Sequence, residues 1–532
     1  MILRFLFFIS ILFFLVACNK TENQWVNNTI LSEKNILIAS SVNLKSLVNK
    51  SDLENSAKLS YEQKIIFDAF KSSFSSQYLG FDVEAPQKLF IVSNPNKFNA
   101  VAFLAGNVID IDIFKESLRN FLAIDSFNLV NPTICFSDKY NLTVGFNSTN
   151  FLIGFSLDEN FTKEKIINYF QSDSPNNSDV LLTKFLKQND DFGFYISSAN
   201  VLEFINNIKI PFIKSQITNT LDLDLLNEEF IFNMNFLTEK ISCSSSFFST
   251  VIKNKPVDVK YNNFIDQYDS LLFYGFANIE LNKMDFLLKQ LNRLGEGFQK
   301  DVLFLDFKEI ISSLDGSISF SVNKPINPFT NLDSSSLLDE FSVGKETNSK
   351  VILDNMDNEW DDDEFFDNET VMPKLDNSLQ FMLSLGIKEK QKLVNFCKKN
   401  NYKLSDGKVM NSKTYSYLLK NEVLHLTNNF KLLDKINIRV ESEILSEHNQ
   451  KHFQHSLYSV FDIETILKSY SGENYIKIDN EREEIAKLFT QLLVFFDGEE
   501  LNMEFHLKEK NENAFKVLME SILYNEIIED YL

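Results

Sequence analysis

Tryptophan and histidine are scarce in this 532-residue chain, with two and five copies, and glycine and proline are nearly as sparse at 14 and 9. The only tryptophans are Trp25 and Trp360, which removes the indole platforms on which surface glycan-binding proteins commonly stack sugars. No Gly-x-Ser-x-Gly elbow, P-loop or glycine-rich dinucleotide turn occurs, so the common nucleophile and phosphate cradles are missing. There is no Cys-x-x-Cys pair, which excludes thioredoxin-like and zinc-ribbon chemistry. Positive charge is also short: 52 Lys and Arg face 74 Asp and Glu, for a net charge of −22. Such a balance opposes binding to nucleic acid, which needs cations against phosphates, and adhesion to anionic lipid. After residue 17 no apolar run approaches the roughly 20 residues of a membrane span.

What is present begins at the N-terminus. An apolar run from Phe5 to Val16 follows Arg4 and ends in Leu15-Val16-Ala17-Cys18. The run is too short to span a bilayer and reads as the apolar core of an export signal. Leu15, Val16, Ala17 and Cys18 are similar to the bacterial lipobox, which implies cleavage before Cys18 and a diacylglycerol and acyl chain on that residue as its only attached group, with no cofactor. Asn19 stands where enteric inner-membrane retention would want aspartate, so the expected location is the cell envelope, lipid-anchored, with the outer membrane favoured. Residues 18–35 are rich in Asn, Thr and Glu and read as a lipidated tether, reaching about 60 Å at roughly 3.3 Å per residue. With Cys18 acylated, Cys135, Cys243 and Cys397 remain, an odd number that cannot all pair internally. Burial as free thiols and a bridge between Cys135 and Cys243 are the two readings.

Further along, a short alternating apolar run leads repeatedly into a segment with helical spacing. Copies run from Ile36 to Val48, Val101 to Phe121, Phe151 to Phe170, Phe192 to Ile205, Leu271 to Leu291, Leu379 to Phe396 and Ser456 to Leu467. A strand face on a core followed by a helix over it fits this pattern. Asn43, Ser197, Asn278 and Asp462 stand at the junctions as helix caps. The spacing is uneven, so no solenoid is expected. Hairpins are expected at Glu229–Leu237 with Lys240–Ser249, and at the dipeptides Asp315-Gly316 and Asp497-Gly498. Together these predict an α+β fold of antiparallel sheets, with repeated strand-helix units and helices packed on one sheet face. The 53 phenylalanines read as core filler. The expected organisation is a signal peptide over 1–17, the tether, an α+β region over 36–324, an acidic linker or insertion over 325–372 and a second α+β region over 373–532.

Two metal readings arise. Nine acidic residues without a Lys or Arg lie between Val351 and Thr370, and Asp357, Asp361 and Asp363 among them offer hard oxygen ligands for calcium, although the EF-hand glycine and order are lacking. At such charge density a solvated linker is the competing reading. His448, His452 and His455, at spacings of four and three, would share one helical face and suit zinc, against a polar surrounding that fits a solvated helix equally well.

The lipobox at Cys18, the first unit Ile36–Leu53 with its Asn43-Leu44-Lys45-Ser46-Leu47, and the strand-hairpin-helix over Gln491–Ile527 resemble an uncharacterised family of Bacteroidota lipoproteins defined by a domain of unknown function. The family's usual proline ahead of the first strand is replaced around Leu31-Ser32-Glu33. The resemblance implies a fold and an envelope location, and carries no catalytic or binding residue. The expected function is a membrane-anchored, non-catalytic scaffold or partner-binding protein. A surface hydrolase or glycan-handling accessory and a calcium- or zinc-responsive module are the alternatives.

Overall fold

Alternation of apolar and polar residues builds nine strands in the first part of the chain: β1 (Ile36–Val42), β2 (Gln87–Asn94), β3 (Asn99–Asn107), β4 (Thr133–Ser137), β5 (Leu142–Phe146), β6 (Asn150–Phe155), β7 (Phe192–Ile196), β8 (Phe230–Phe236) and β9 (Lys240–Ser245). Nine more follow: β10 (Leu271–Asn278), β11 (Leu314–Asn323), β12 (Gln380–Ile387), β13 (Val409–Asn411), β14 (Ser416–Lys420), β15 (Val423–Thr427), β16 (Leu457–Asp462), β17 (Phe489–Phe496) and β18 (Leu501–Leu507). The computed structural model describes residues 24–94, 99–127, 131–156, 158–171, 179–207, 229–246, 252–253, 271–281, 313–323, 380–399, 404, 407–411, 416–428, 433, 455–470 and 487–531. The lipobox, the acidic stretch with Asp357, Asp361 and Asp363, and both His448 and His452 lie outside them.

All pairings are antiparallel and join the 18 strands into one sheet. Through the first half the spatial order is β4-β5-β6-β3-β2-β1-β7-β8-β9. In the second half it is β13-β14-β15-β12-β11-β10-β16-β17-β18, the same order shifted by nine strands. The chain is therefore a tandem repeat of one nine-stranded unit.

Register carries the repeat to single residues. Ile38 opposes Ile196 and Val42 opposes Phe192 in the first half, as Phe273 opposes Phe461 and Ala277 opposes Leu457 in the second. The irregularity between Ile36 and Ile38 recurs between Leu271 and Phe273. Bonds outside the ladders recur too. The amides of Ile109 and Asp110 donate to the Gly80 carbonyl, and those of Lys388 and Glu389 to Ser313. Val108 donates to Thr149 as Ile387 does to Glu422, and Leu237 to Lys240 as Asp497 does to Glu500. Of the seven strand-helix units of the sequence, four fall in the first half; in the second, those at Leu379 and Ser456 are a strand followed by a helix, and of Leu271 to Leu291 only the part up to Leu281, with strand β10, is described.

The ninth strand of each unit alone would be an open edge, and unpaired edges invite association. Here β9 pairs with β18 from Ser245–Leu501 to Lys240–His506, so each unit covers the other's edge. The outer edges are the short β4 and β13. Strands β10 and β11 belong by pairing with the strands after residue 379.

The α+β class is as expected, with 11 α-helices among the described residues. The first half, however, carries helices on both sheet faces. Neighbouring residues of a strand point to opposite faces. Leu104, Phe151 and Ile153 pack with α2 (Leu44–Ser51) and α5 (Ile111–Leu122). Phe103, Ala105 and Leu152 pack with α1 (Gln24–Ser32), α6 (Glu159–Gln171) and α7 (Val180–Lys187). The physical reason is in β5 and β6, which are buried at consecutive positions, so one covering layer cannot cover both sides. Helix α5 shows how such a layer is specified. Phe114, Leu118 and Leu122 recur every four residues and are buried, and Asp110 caps the start by accepting from Asp112 and Ile113. Losing such a cap costs about 1 kcal/mol. Phe114 meets Phe146 edge to face at 5.5 Å, a geometry that adds about 0.5–1.5 kcal/mol to burial.

Several local expectations resolve. Asn43 caps α2 through Ser46, and Asp462 accepts from Thr465 at the start of α10 (Ile463–Tyr470). Ser197 stands at the start of α8 (Ser198–Asn206) but makes no cap bond; its hydroxyl donates to Glu229 instead. The Asp497-Gly498 turn joins β17 to β18, with Gly498 at φ 106°. Asp315-Gly316 is not a hairpin turn: it lies within β11, where the register to β12 shifts between Leu314 and Ile318, and Gly316 takes φ 100° there. The extra residues are absorbed as a bulge. Cys135, Cys243 and Cys397 are free and buried, so the alternative bridge between Cys135 and Cys243 is not formed.

Candidate functional site

The face of the sheet at the β9–β18 seam brings polar, partly exposed side chains of both halves together. On its other face Ile241, Cys243, Met503 and Phe505 pack under α11 (Ala514–Tyr531), whose Ala514 and Val517 are buried there. Helix α11 also grips the first half: Phe515 lies 5.0 Å from Phe236, Lys516 reaches Asp52, and Lys58 reaches Glu509 and Glu520. With that face sealed, alternation sends Lys240, Ser242 and Ser244 of β9 and Asn502, Glu504 and His506 of β18 to the opposite face. Asn235 of β8 opposes Ser242, and Gln491 of β17 opposes His506. From α7, Lys184 reaches over to Glu500 at 2.8 Å.

Glu504 is the centre of this face. It accepts from Lys240 Nζ at 2.7 Å and lies 3.2 Å from His506 Nε2. The His506 bond, then Lys240, pull its carboxyl down to about 2, against partial desolvation. It is thus ionised at neutral pH and already partnered, which suits it to hold a shape and offers no proton for acid catalysis. Ser242, Ser244, Asn502 and Gln491 supply neutral donors and acceptors beside it. The arrangement can bind a polar surface through many modest hydrogen bonds. The polar alternation in Asn502-Met-Glu-Phe-His506 was the available sequence signal, but which face stayed uncovered depended on α11.

Several charged groups are drawn inside, Lys88, Asp191 and Glu33 among them. Lys88 on β2 faces Ser41 on β1, its Nζ 2.9 Å from the hydroxyl, and both are 5 % exposed or less. Burial pulls this lysine down to about 8, with Asp190 opposing the shift. A serine beside a depressed lysine is a nucleophile–base pairing in kind, but the pair is enclosed and has no room for a substrate. Asp191 accepts from Ser46 Oγ at 2.6 Å, the Phe236 amide at 2.7 Å and Lys50, so it ties β7 and β8 to α2. Glu33 accepts from Lys165 and Tyr169 and ties α1 to α6. These are structural ties between layers.

A groove of about 490 Å³ lies between the end of α3 (Tyr61–Ser73), α4 (Ser76–Leu79) and α5, lined by Phe70, Phe74, Tyr78, Ile113 and Phe121 among others. It lacks a convergent set of charged groups. Of the three proposed histidine ligands only His455 is described; it lies 3.3 Å from the Phe496 carbonyl and stacks near Tyr458 and Phe495. Among the described residues no three His, Cys, Asp or Glu side chains converge as a metal site would require, and no helix is long and apolar enough to cross a membrane.

The sequence matches no protein-family model, no curated protein and no solved structure.

Proposed function

We propose that the protein is a lipid-anchored scaffold of the bacterial cell envelope, held in the outer membrane through acylated Cys18, and that it binds a protein partner on the polar seam face. The observation that carries the binding reading is the seam itself: Glu504 is ionised and partnered by Lys240 and His506, with Ser242 opposite it on β9 and Leu493 opposite it on β17. Such a surface favours recognition over bond making. The anchor is supported by the apolar run ending in Leu15-Val16-Ala17-Cys18. The charge of −22 assigns the membrane attachment to the acyl chains. Membrane fractionation with radiolabelled palmitate tests the anchor: the wild type takes up label and sediments with membranes, and Cys18→Ala does neither. A Cys18→Ala protein that stays fully membrane-bound would overturn it.

A further inference from the structure

The stretch expected to be a free tether is largely folded. Helix α1 begins at Gln24 and packs onto the body, with Val26 and Ile30 fully buried and Trp25 5.0 Å from Phe170 of α6. Six residue steps separate Cys18 from Gln24, so an anchor at Cys18 holds the start of α1 within about 21 Å, not 60 Å. A leash that short limits how far the start of α1 can stand from the bilayer. The folded unit must keep the N-terminal end of α1 towards the lipid.

That end has the right chemistry. Trp25, Phe170 and Leu181 lie partly exposed on one apolar cluster, and Val180, the first residue of α7, is 79 % exposed. Tryptophan favours the bilayer interface, where an apolar ring with one polar edge fits the headgroup region. A competing apolar patch, Tyr61, Ile65 and Ile66 on α3, is exposed as well. It follows α2, which covers the opposite sheet face. Sheet and helical layers, each helix about 10 Å across, separate it from the leash.

We propose that the anchored protein rests on the bilayer through the end of the α1–α6–α7 layer, with Gln24, Trp25, Phe170 and Val180 at the lipid headgroups; this rests on the acylation of Cys18 proposed above. The partner is a lipid surface engaged by apolar and uncharged groups, and the α3 patch points away from it.

The test places an environment-sensitive fluorophore on Val180→Cys, and separately on Tyr61→Cys, in the full-length lipidated protein on phosphatidylcholine vesicles carrying nitroxide lipids. The native thiols do not compete, since burial pushes Cys135 up to about 12 and Cys243 up to about 11, and Cys397 is also raised. Expected is a blue shift and strong quenching at position 180 with neither at position 61. Gln171→Cys, at the exposed end of α6, should repeat the result if Val180→Cys folds poorly. Protein that sediments with vesicles yet is quenched at 61, or at no position, overturns the orientation while the anchor stands. Protein that takes up no palmitate and stays off the vesicles overturns the anchor itself.

Discussion

Cys243 lies directly opposite Met503 where β9 pairs with β18, so a single ladder joins the two copies of the repeat. Each copy's ninth strand finds in the other the partner that a free unit would lack. This places stability at the seam in the hands of both halves, since Phe515 and Lys516 of α11 reach back onto the first half.

The seam should accordingly be sensitive. Met503→Pro removes a backbone donor from a strand paired on both sides and should be strongly destabilising. A urea titration followed by circular dichroism reads this as a lower midpoint, and an unchanged midpoint would show that the β9–β18 pairing contributes little.

Lys88 gives a signature at alkaline pH. Its folded value of about 8 lies below the ordinary 10.5, so between those limits the unfolded chain binds more protons and stability rises with pH. The buried ammonium costs about 3 kcal/mol below pH 8, a penalty that fades towards pH 10.5. Lys88→Met should flatten the rise in unfolding free energy between these values; parallel slopes in wild type and variant would refute the assignment.

His425 acts at the other end of the scale. Its Nδ1 lies 2.8 Å from Ser384 Oγ, and burial, aided by Lys420, drives it down to about 4 from 6.5. Above pH 6.5 both states are neutral. As pH falls towards 4 the unfolded chain takes up the proton first, and about 3 kcal/mol of stability is lost. Unfolding free energies at pH 7 and pH 4.5 should therefore differ less in His425→Gln than in the wild type.

Gly80 is held by geometry. It sits at φ 74°, and a Cβ there would meet the Phe114 amide nitrogen at 2.2 Å and the Asp110 carbonyl at 2.7 Å, both backbone atoms. Gly80→Ala should lose at least about 2 kcal/mol, as strained backbone and forced displacement combine. Thermal unfolding measures it, and a Tm within a degree of wild type would contradict the close approach of α5.

Much of the local structure was legible. The strand-helix units at Ile36, Val101, Phe151, Phe192, Leu379 and Ser456 declare themselves because two periods, 2 and 3.6, meet at one residue. Asn43 and Asp462 were readable as caps because their short side chains satisfy first-turn amides. The repeat was not legible, because what it preserves is pairing: Ile38–Ile196 and Phe273–Phe461 share a register without sharing residues. Helix α1 was hidden within a polar stretch, where Val26, Thr29 and Ile30 are the buried residues. The seam site was hidden for another reason, since Lys240 and Glu504 are 264 residues apart.

The sequence by itself determined the apolar run that precedes Cys18, the acidic charge, the strand and helix segments and the antiparallel α+β class, because these follow from composition and short-range periodicity. Tertiary structure alone decided that one unit occurs twice, that β9 and β18 close each other's edges, which sheet face α11 covers and that α1 packs onto the body from Gln24. Those outcomes depend on contacts between residues far apart in the chain, where many different side chains satisfy the same backbone pairing.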